Sequence, residues 1–597
     1  MESDLKEVFV VSTNILSSLG FTTEENIRSI LNMKTGIALN NNPEIYPEPF
    51  QAAPFDRDKL QSLFEKYNLL SYNFAEASTI LSILLCEGVP PNPLKGETPC
   101  HPREGVDPMN NRLLLLSTTK GNIAELSPNL PPKSDVFLGY TAKKIAEHFR
   151  INDFTVVSNA CVSGVSAIAT ATRLLQIGQY ENVFVAGLDF LTDFTVSGFQ
   201  SFKSVSPLPC RPYDRDRDGL SIGEAVGCIR LTNNPALVGN THKIRVLGGA
   251  TSNDANHISG PSRTGDGLSL AIENALQYSD AKHSDIDFIN LHGTATVYND
   301  EMESKALKLS SLSDTPAGSL KGYFGHTLGA SGVIETIISI ESLKRQTLFA
   351  TLGFENLGTT EPMNISNAHK SARIHTFLKT ASGFGGFNSA IVVSDTLNPR
   401  IKTRKGEVLY SEKYVRVEEN RISFNGQTAF EAEKTFDFHD FIKSAYRNLN
   451  IDYPKFHKMD DLCKTAFICF EYLIKELPEF SGKNKQKTAL VFGTETSSLD
   501  TDIKHRQTIS TQDNYFPSPA IFVYTLPNTM LGEIAIRHKI QGETTCFVGE
   551  KTTEKDFKNY IELLTKTTDI ESVIFGKIDF LGEKYSAWMS FAEINRN

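Results

Sequence analysis

The sequence lacks the features that would place the chain in a membrane, in a secreted class or on nucleic acid. No apolar run approaches the roughly 18 residues of a transmembrane helix, and the first residues lack the basic and apolar regions of a signal peptide. The 8 cysteines include no Cys-x-x-Cys pair, which argues against a disulfide framework or a zinc signature. A net charge of −10 argues against a nucleic-acid partner. We therefore expect a cytoplasmic protein with reduced thiols.

The composition that remains is that of a large globular protein. The chain has 597 residues, of which 40% are hydrophobic and 22% charged, enough for two or more domains. Strand patterns at 8–12, 112–117 and 183–186 alternate with helical patterns at 60–87 and 137–149. This alternation predicts an α/β fold with a parallel or mixed sheet and helices on both faces.

Cys161 lies where a strand pattern gives way to a helical one. The β-branched run 155–157 ends at a small polar pair, and a helical pattern then continues to Gly178. Such an elbow holds a thiol at the positive end of a helix, which favours the thiolate and leaves amides free to bind an oxyanion. The alternative is a buried structural cysteine, so the interpretation depends on the other motifs.

Two histidines occupy Gly-flanked loops at the ends of predicted elements. His292 follows an apolar strand, His326 precedes a helix, and a third Gly-rich segment, 383–388, precedes a further strand. Either histidine alone would be taken as structural, but functional side chains collect in such loops of layered folds. The charged segment 210–219 lacks the acidic spacing of a calcium loop and predicts a self-paired turn.

Four ordered motifs together resemble the β-ketoacyl-acyl-carrier-protein synthases, a group of condensing enzymes. They are Asn-Ala-Cys-Val-Ser-Gly at 159–164, His-Gly-Thr-Ala-Thr at 292–296, Gly-His-Thr-Leu-Gly-Ala at 325–330 and Gly-Phe-Gly-Gly at 383–386. The likeness covers about residues 4 to 398. It implies a thiolase-like αβαβα five-layer fold, and a homodimer or a ketosynthase heterodimer.

The resemblance also implies a decarboxylative Claisen condensation. Cys161 would accept an acyl group as a thioester from the phosphopantetheine arm of an acyl carrier protein. Malonyl-carrier protein would then lose carbon dioxide, and its carbanion would attack that thioester. His292 and His326 would stabilise the enolate, and the amides of Cys161 and Phe384 would bind the acyl oxygen. No bound cofactor and no metal are expected, since the carrier supplies the phosphopantetheine.

Other residues take supporting roles in this resemblance. Lys321 would hold a charge network through Glu303 and orient the histidine loops. The remaining expected contributors are Asp300 in that network, Thr294 and Thr296 as pantetheine ligands, and Phe384 as the gate of the acyl pocket. Phe387 stands where the family has threonine, so the acyl length of the family does not transfer to this chain.

A basic group near the start of the chain predicts where the carrier docks. Arg57, Lys59 and Lys66 lie at the beginning of a predicted helix, and carrier proteins are acidic. The alternative is an ordinary solvated helix face.

The last two hundred residues repeat part of the first four hundred. Segment 571–581 aligns without gaps on 181–191 at an offset of 390, and 534–540 echoes 145–151 at an offset of 389. We therefore expect a second, partial condensing-enzyme fold in this part of the chain.

The domain organisation follows from this repeat. We expect a catalytic domain at 1–398, a linker with short strands at 399–429, and a degenerate half-thiolase-like α/β domain at 430–597. The position of the nucleophile in this last domain would hold Glu550 or Lys551, so the domain is expected to be non-catalytic. It would pack on the catalytic domain or on a partner, or else form an independent ligand-binding module.

Three functions can be compared with the sequence. An active condensing enzyme of fatty acid, polyene or polyketide synthesis is favoured by Cys161 together with His292 and His326. A non-catalytic partner resembling a chain length factor would lack the cysteine. A thiolase acting on coenzyme A thioesters would place a second cysteine where this chain has His326.

Overall fold

A computed structural model describes residues 4–91, 111–128, 131–239, 243–510, 515–550 and 552–596. Most of the Pro- and Gly-rich segment 90–110, with Cys100 and His101, lies outside these described residues. Among the described residues, no helix is both long and apolar enough to cross a bilayer.

The strands and helices of the first unit follow the predicted alternation. Its strands are β1 Phe9–Ser17, β2 Ala38–Asn40, β3 Phe50–Ala53, β4 Arg112–Ser117, β5 Asp153–Val157, β6 Asn182–Asp189, β7 Ile222–Gly223, β8 Ala225–Thr232, β9 Arg245–Asn253, β10 Phe288–Asn290, β11 Pro316–Gly318, β12 Thr347–Leu348, β13 Asn364–Ile365, β14 Lys370–Ser371, β15 Thr376–Gly383 and β16 Phe387–Ser394. Its α-helices are α1 Thr23–Leu31, α2 Arg57–Lys66, α3 Phe74–Cys86, α4 Leu138–His148, α5 Ser163–Gln176, α6 Asp193–Ser201, α7 Asp266–Tyr278, α8 Val297–Leu309, α9 Lys321–Phe324 and α10 Ser331–Arg345.

One predicted helix is wrong. The single helix expected over 60–87 is two helices, α2 and α3, because Asp56 and Asn73 each accept a hydrogen bond from a backbone amide three residues ahead. Such side chains cap the starts of helices, so the segment between the two is a turn.

Two mixed sheets form the body of this unit. In the first, the strand order is β5-β4-β6-β8-β1, with β4 parallel to β5 and β6, and with β8 antiparallel to β6 and β1. In the second, the order is β9-β16-β15-β10-β11-β13, antiparallel over the first three strands and parallel over the rest.

Helices α5 and α10 lie between the two sheets, and other helices cover the outer faces. The middle helices contact strands of both sheets, α3 and α4 pack on the outside of the first, and α7 packs on the outside of the second with α8 beside it. These layers are the predicted αβαβα arrangement. All of α5 is buried, which suits a helix that packs against protein on every side.

A pair of glycines brings the two middle helices together near their starts. A β-carbon on Gly164 would lie 2.9 Å from the α-carbon of Gly332, and one on Gly332 would lie 2.9 Å from the α-carbon of Gly164. Only glycine permits this approach of two backbones. Because Cys161 and His326 immediately precede these helices, the close approach places both residues at one point in the fold.

The C-terminal unit repeats the first sheet. Its strands are β17 Glu407–Glu418, β18 Arg421–Phe424, β19 Gln427–Glu431, β20 Thr488–Thr494, β21 Thr544–Val548, β22 Ser572–Leu581 and β23 Lys584–Asn595. Its α-helices are α11 Phe438–Leu449, α12 Asp461–Lys475, α13 Leu499–Gln507, α14 Pro519–Phe522, α15 Thr529–His538 and α16 Glu554–Thr567. The order β21-β20-β22-β23-β17 has the strand directions of β5-β4-β6-β8-β1, as expected from a half-fold repeat.

The predicted linker is part of this second sheet. Strand β17 pairs with β23 along most of its length, and Val415, Val417 and Ile422 are buried. The boundary at residue 430 is therefore wrong, because the first strand of the unit begins at Glu407 and contributes to its core.

The sheet of the C-terminal unit and the first sheet of the first unit meet edge to edge. Strand β21 pairs antiparallel with β5, with Phe547 opposite Val157 and Val548 opposite Val156. When β21 and β5 are aligned over their five residues, the position of Cys161 corresponds to Thr552. The expected Glu550 or Lys551 is therefore wrong; Lys551 itself lies outside the described residues. Thr552 is buried and donates to the carbonyl oxygen of Gly549.

Candidate active site

The elbow that holds Cys161 is built by local hydrogen bonds. Cys161 lies in a short 3-10 turn between β5 and α5, and the preceding Ala160 has a φ of 51°. The Ser163 hydroxyl accepts from the Asn159 amide at 2.8 Å and donates to the Ala160 carbonyl at 2.5 Å. One hydroxyl thus fixes a left-handed residue beside the thiol, a conformation that persists only when its surroundings enforce it.

His326 is the direct partner of the thiol. Its Nε2 lies 3.0 Å from the sulfur of Cys161, and its Nδ1 lies 3.1 Å from the Ser331 hydroxyl. A hydroxyl can donate or accept. His326 can therefore present either a bare nitrogen or an N–H to the cavity without losing its partner.

His292 stands edge-on to His326 and is held through its backbone and its ring. The two ring centroids are 5.1 Å apart at 85°. Glu303 accepts from the amides of His292 and Gly293 at 2.7 and 2.8 Å. The Lys321 ammonium lies 3.4 Å from Nδ1 of His292 and donates to its carbonyl at 2.6 Å. Since an ammonium only donates, it holds the proton of neutral His292 on Nε2.

A buried charge cluster lies behind the two imidazoles. Glu335 binds Lys321 at 2.8 Å through one carboxylate oxygen and Lys379 at 2.5 Å through the other. The expected bond from Lys321 to Glu303 is wrong, because Lys321 pairs with Glu335 while Glu303 takes up backbone amides and the Tyr213 hydroxyl. Sequence reasoning missed Glu335 and Lys379; a charged residue inside an apolar helix or strand was the available signal.

Asp300 supports the site from outside the cavity. It is fully buried, accepts from the amide of Tyr213 at 2.7 Å and lies 3.6 Å from the Arg217 guanidinium. Burial and the neighbouring Glu303 raise the pKa of Asp300 to about 7. The predicted turn at 210–219 is thereby tied to the histidine loop.

Burial governs the protonation of the reacting groups. It raises the pKa of the Cys161 thiol to about 12, against a lowering by the Lys321 charge. Burial and the ammonium groups nearby hold the pKa values of His292 and His326 well below the ordinary range. Burial therefore opposes the thiolate that the helix position favours, and it favours a neutral thiol beside a neutral imidazole.

Phe384 approaches Cys161 through a glycine turn. A β-carbon on Gly383 would lie 3.1 Å from the amide nitrogen of Cys161. The Phe384 ring packs against Phe199 and Phe202, with centroids 6.2 and 5.6 Å apart. The turn thus stands next to the amide with which it is expected to form an oxyanion hole.

A cavity of about 240 Å³ contains these groups. Its lining includes Cys161, His292, His326, Thr294, Thr296, Phe384 and Phe387. The hydroxyls of Thr294 and Thr296 lie 2.9 Å apart, and Tyr298 at the rim is 79% exposed. The cavity therefore reaches the surface past two hydroxyls that can bind amides.

The three residues of the predicted docking patch do not line this cavity. Arg57 binds the buried Glu224 at 2.7 Å and covers the ring of Phe74 at 4.2 Å. Lys59 binds Glu25 at 3.2 Å. The charges of Arg57 and Lys59 are thus largely matched within the chain, and docking at the patch with Lys66 stays a prediction.

The central triad also has the composition of a metal site. One ligand atom each of Cys161, His292 and His326 lies within 4.8 Å of the others. Lys321 and Lys379 lie behind the imidazoles, and the carboxyl groups of Glu335 and Glu303 oppose their positive charges.

Comparison with known proteins gives the same picture. Residues 148–235 match the β-ketoacyl synthase N-terminal domain and residues 244–355 match the C-terminal domain. The chain is 30% identical over 282 residues to the 3-oxoacyl-[acyl-carrier-protein] synthase 2 of Rhizobium meliloti (strain 1021), covering 45% of this chain and 66% of that relative. The match thus spans just under two thirds of that relative.

Solved structures with a similar fold include ketosynthases determined with chain length factors. The ketosynthase ApeO with its chain length factor ApeC, from Xenorhabdus doucetiae, gives a TM-score of 0.54 at 24% identity, over 66% of this chain and 98% of that one. A PfaC keto synthase-chain length factor structure gives 0.72 at 15% identity, over 98% of this chain and 78% of that one. At these identities the likeness concerns the fold, which is thiolase-like. Residues 148–235, which include Cys161, and residues 244–355, which include His292 and His326, thus match the two domains of β-ketoacyl synthases.

Proposed function

We propose that the chain is a condensing enzyme that transfers an acyl group from a carrier protein to Cys161 and joins it to malonyl-carrier protein. The observation that carries this proposal is the 3.0 Å contact between the Cys161 sulfur and His326, with His292 edge-on beside it. The phosphopantetheine arm of the carrier would enter past Thr294 and Thr296. No bound cofactor is needed.

In the first step, His326 accepts the thiol proton while the sulfur attacks the acyl thioester. The new bond joins sulfur to the acyl carbon, the old carbon-sulfur bond breaks, and the proton leaves with the pantetheine thiol. Negative charge on the acyl oxygen would be stabilised by the amides of Cys161 and Phe384.

In the second step, the bond from the malonyl α-carbon to its carboxylate breaks and carbon dioxide leaves. Nε2–H groups of His292 and His326 donate to the thioester oxygen, which carries the enolate charge. The α-carbon forms a bond to the acyl carbon, the bond from that carbon to the Cys161 sulfur breaks, and the released thiolate takes up a proton from solvent. The positive charges of Lys321 and Lys379, which act on both histidines, favour the enolate anion.

The C-terminal unit is proposed as a non-catalytic partner within the same chain. It repeats the first sheet, joins it through β21 and β5, and has threonine in place of the nucleophile. The chain-length-factor alternative thus fits this unit and not the whole chain. Because β21 covers the β5 edge, a homodimer formed through that edge is not expected.

The test is direct acylation. The protein and a Cys161→Ser variant are mixed with acyl-carrier protein, and the mass of the intact chain is measured; malonyl-carrier protein is then added and carbon dioxide is measured. We expect one acyl adduct on Cys161 and release of one carbon dioxide per condensation. An unmodified wild-type chain, or an adduct that persists in Cys161→Ser, contradicts the proposal.

A further inference from the structure

The C-terminal unit contacts the two loops that carry the acyl-transfer groups. Next to the nucleophile, the Cys546 amide donates to the Asn159 side chain at 2.8 Å, and its carbonyl accepts from Ser158 at 3.1 Å. The segment that leads to Cys161 is therefore held partly by the other unit.

The second contact is with the Phe384 turn. The Asn528 side-chain amide donates to the carbonyl oxygen of Phe384 at 2.9 Å, and Asn528 is fully buried. The carbonyls of the next two residues, Gly385 and Gly386, are held by the first unit instead, through Asn253 and Asp254. Of these three carbonyls in the described part of the chain, that of Phe384 is thus the one held by a side chain of the C-terminal unit.

Little space remains around this hydrogen bond. A β-carbon on Gly532 would lie 2.8 Å from the Gly385 carbonyl oxygen, and one on Gly385 would lie 2.8 Å from the Asn528 amide nitrogen. On its other side the turn reaches the amide of Cys161 through Gly383. The Phe384 turn is therefore clamped between Asn528 and the nucleophile, and a shift of Asn528 would move the Phe384 amide.

We propose that Asn528 is a positioning residue for acyl transfer, by which the C-terminal unit completes the oxyanion hole of the first unit in the same chain. The inference rests on the proposed acyl transfer to Cys161. It gives a unit without a nucleophile a defined part in the reaction. Asn528 fixes the peptide group that follows Phe384, and through this short turn it holds the preceding peptide group, whose Phe384 amide points at the developing oxyanion.

The experiment compares two reactions of one thiol. Acylation of Cys161 by acyl-carrier protein needs an oxyanion hole, whereas alkylation by iodoacetamide attacks a saturated carbon and needs none. Asn528→Leu keeps the approximate volume and removes the donor. We expect it to slow acylation about tenfold to a hundredfold and to leave alkylation within about twofold, a difference that loss of stability alone would not produce.

Two further variants separate this role from simple packing. Thr529→Val removes the buried hydrogen bond from the neighbouring hydroxyl to Leu526, at 2.6 Å, away from Phe384; both of its rates should match the wild type. Asn528→Asp donates only while its carboxyl is protonated, so acylation should fall as pH rises through the pKa of that carboxyl while alkylation does not.

The outcomes distinguish the two proposals. If the wild type is acylated and Asn528→Leu is acylated equally fast, the inference is wrong and the proposed function stands. Equal losses of acylation and alkylation, or a loss in Thr529→Val that matches Asn528→Leu, also overturn it. If the wild type itself is never acylated, the proposed function fails and this inference fails with it.

Discussion

The sulfur of Cys161 lies 3.0 Å from Nε2 of His326, and burial disfavours the charged form of both groups. We therefore expect a neutral thiol at rest. In the proposed reaction it becomes a thiolate as its proton passes to the imidazole, when an acyl carbon is within reach.

The first prediction concerns the pH dependence of Cys161 alkylation. Because burial raises its pKa to about 12, the thiolate fraction should rise about tenfold with each pH unit across the neutral and mildly alkaline range. The rate of iodoacetamide modification, measured by mass spectrometry, should climb without a plateau. A plateau near neutral pH would show a stabilised thiolate and contradict this assignment.

The second prediction concerns Lys379, the additional ammonium on Glu335. Its positive charge lowers the pKa values of both histidines. Lys379→Met should therefore raise those pKa values and move the acidic limb of the acyl-transfer rate to higher pH. The acidic limb is measured from single-turnover acylation across the range below about pH 6.5. If its midpoint is unchanged in Lys379→Met, the charge of Lys379 does not act on the histidines.

The second prediction has a consequence for stability that the same Lys379 variant tests. Burial lowers the pKa of Lys379 to about 8, so between that value and the ordinary value of about 10.4 the unfolded chain binds more protons than the folded one. The contribution of Lys379 to the free energy of unfolding should therefore increase as pH rises through that window. In Lys379→Met this increase should be absent when denaturant unfolding is measured across the same pH range. An equal increase in the wild type and the variant would show that other groups cause it.

The third prediction concerns the ion pair that joins α5 to the C-terminal unit. Arg173 binds Glu543 through two hydrogen bonds of 2.6 and 3.1 Å, and both side chains are buried. Arg173→Met should lower the free energy of unfolding by about 3 to 5 kcal/mol, because it leaves a buried carboxylate unpaired. The double variant Arg173→Met with Glu543→Leu should recover much of that loss in denaturant unfolding. No recovery would contradict the pairing argument.

The fourth prediction concerns Phe522, an aromatic residue from the C-terminal unit. Its ring lies 5.5 Å from Phe199 and 6.3 Å from Phe202, two rings that line the cavity. Phe522→Ala should open space behind them and increase the acylation rate of longer acyl chains relative to shorter ones. The measurement is a competition between carriers of different acyl length; an unchanged preference would place the limit of the pocket elsewhere.

The fifth prediction separates docking from folding in the basic patch. Lys59→Glu with Lys66→Glu should raise the apparent KM for carrier-bound substrates if the patch docks the carrier. Arg57→Glu is unsuitable as that test because it breaks the bond to buried Glu224 and should lower the melting temperature instead. An unchanged KM in the lysine double variant would show that the carrier does not dock at the patch.

Much of the site was accessible from local sequence. Cys161, His292 and His326 each lie at the end of an apolar strand or at the start of a helix, and such junctions are set by short-range patterns. The repeat at an offset of 390 likewise revealed a second half-fold without any coordinates. These features depend on neighbours along the chain, which periodicity reports directly.

The boundaries and the pairing partners were decided only by tertiary structure. The sequence predicts a linker at 399–429 because the partner of the strand at 407–418 lies about 180 residues later. The helix position favours a thiolate at Cys161, but burial, which sequence does not report, opposes it. Glu335 and Lys379 meet across two layers of the fold.

The sequence by itself determined the alternation of strands and helices and the four motifs whose resemblance to a known family implied the fold and the candidate side chains, since both are patterns within short segments. Only the tertiary structure decided which charges pair, how burial opposes ionisation of the thiol, and that Asn528 of the second unit holds the Phe384 carbonyl of the first. The reason is physical: desolvation and Coulomb energy depend on distances between segments that are remote in the chain.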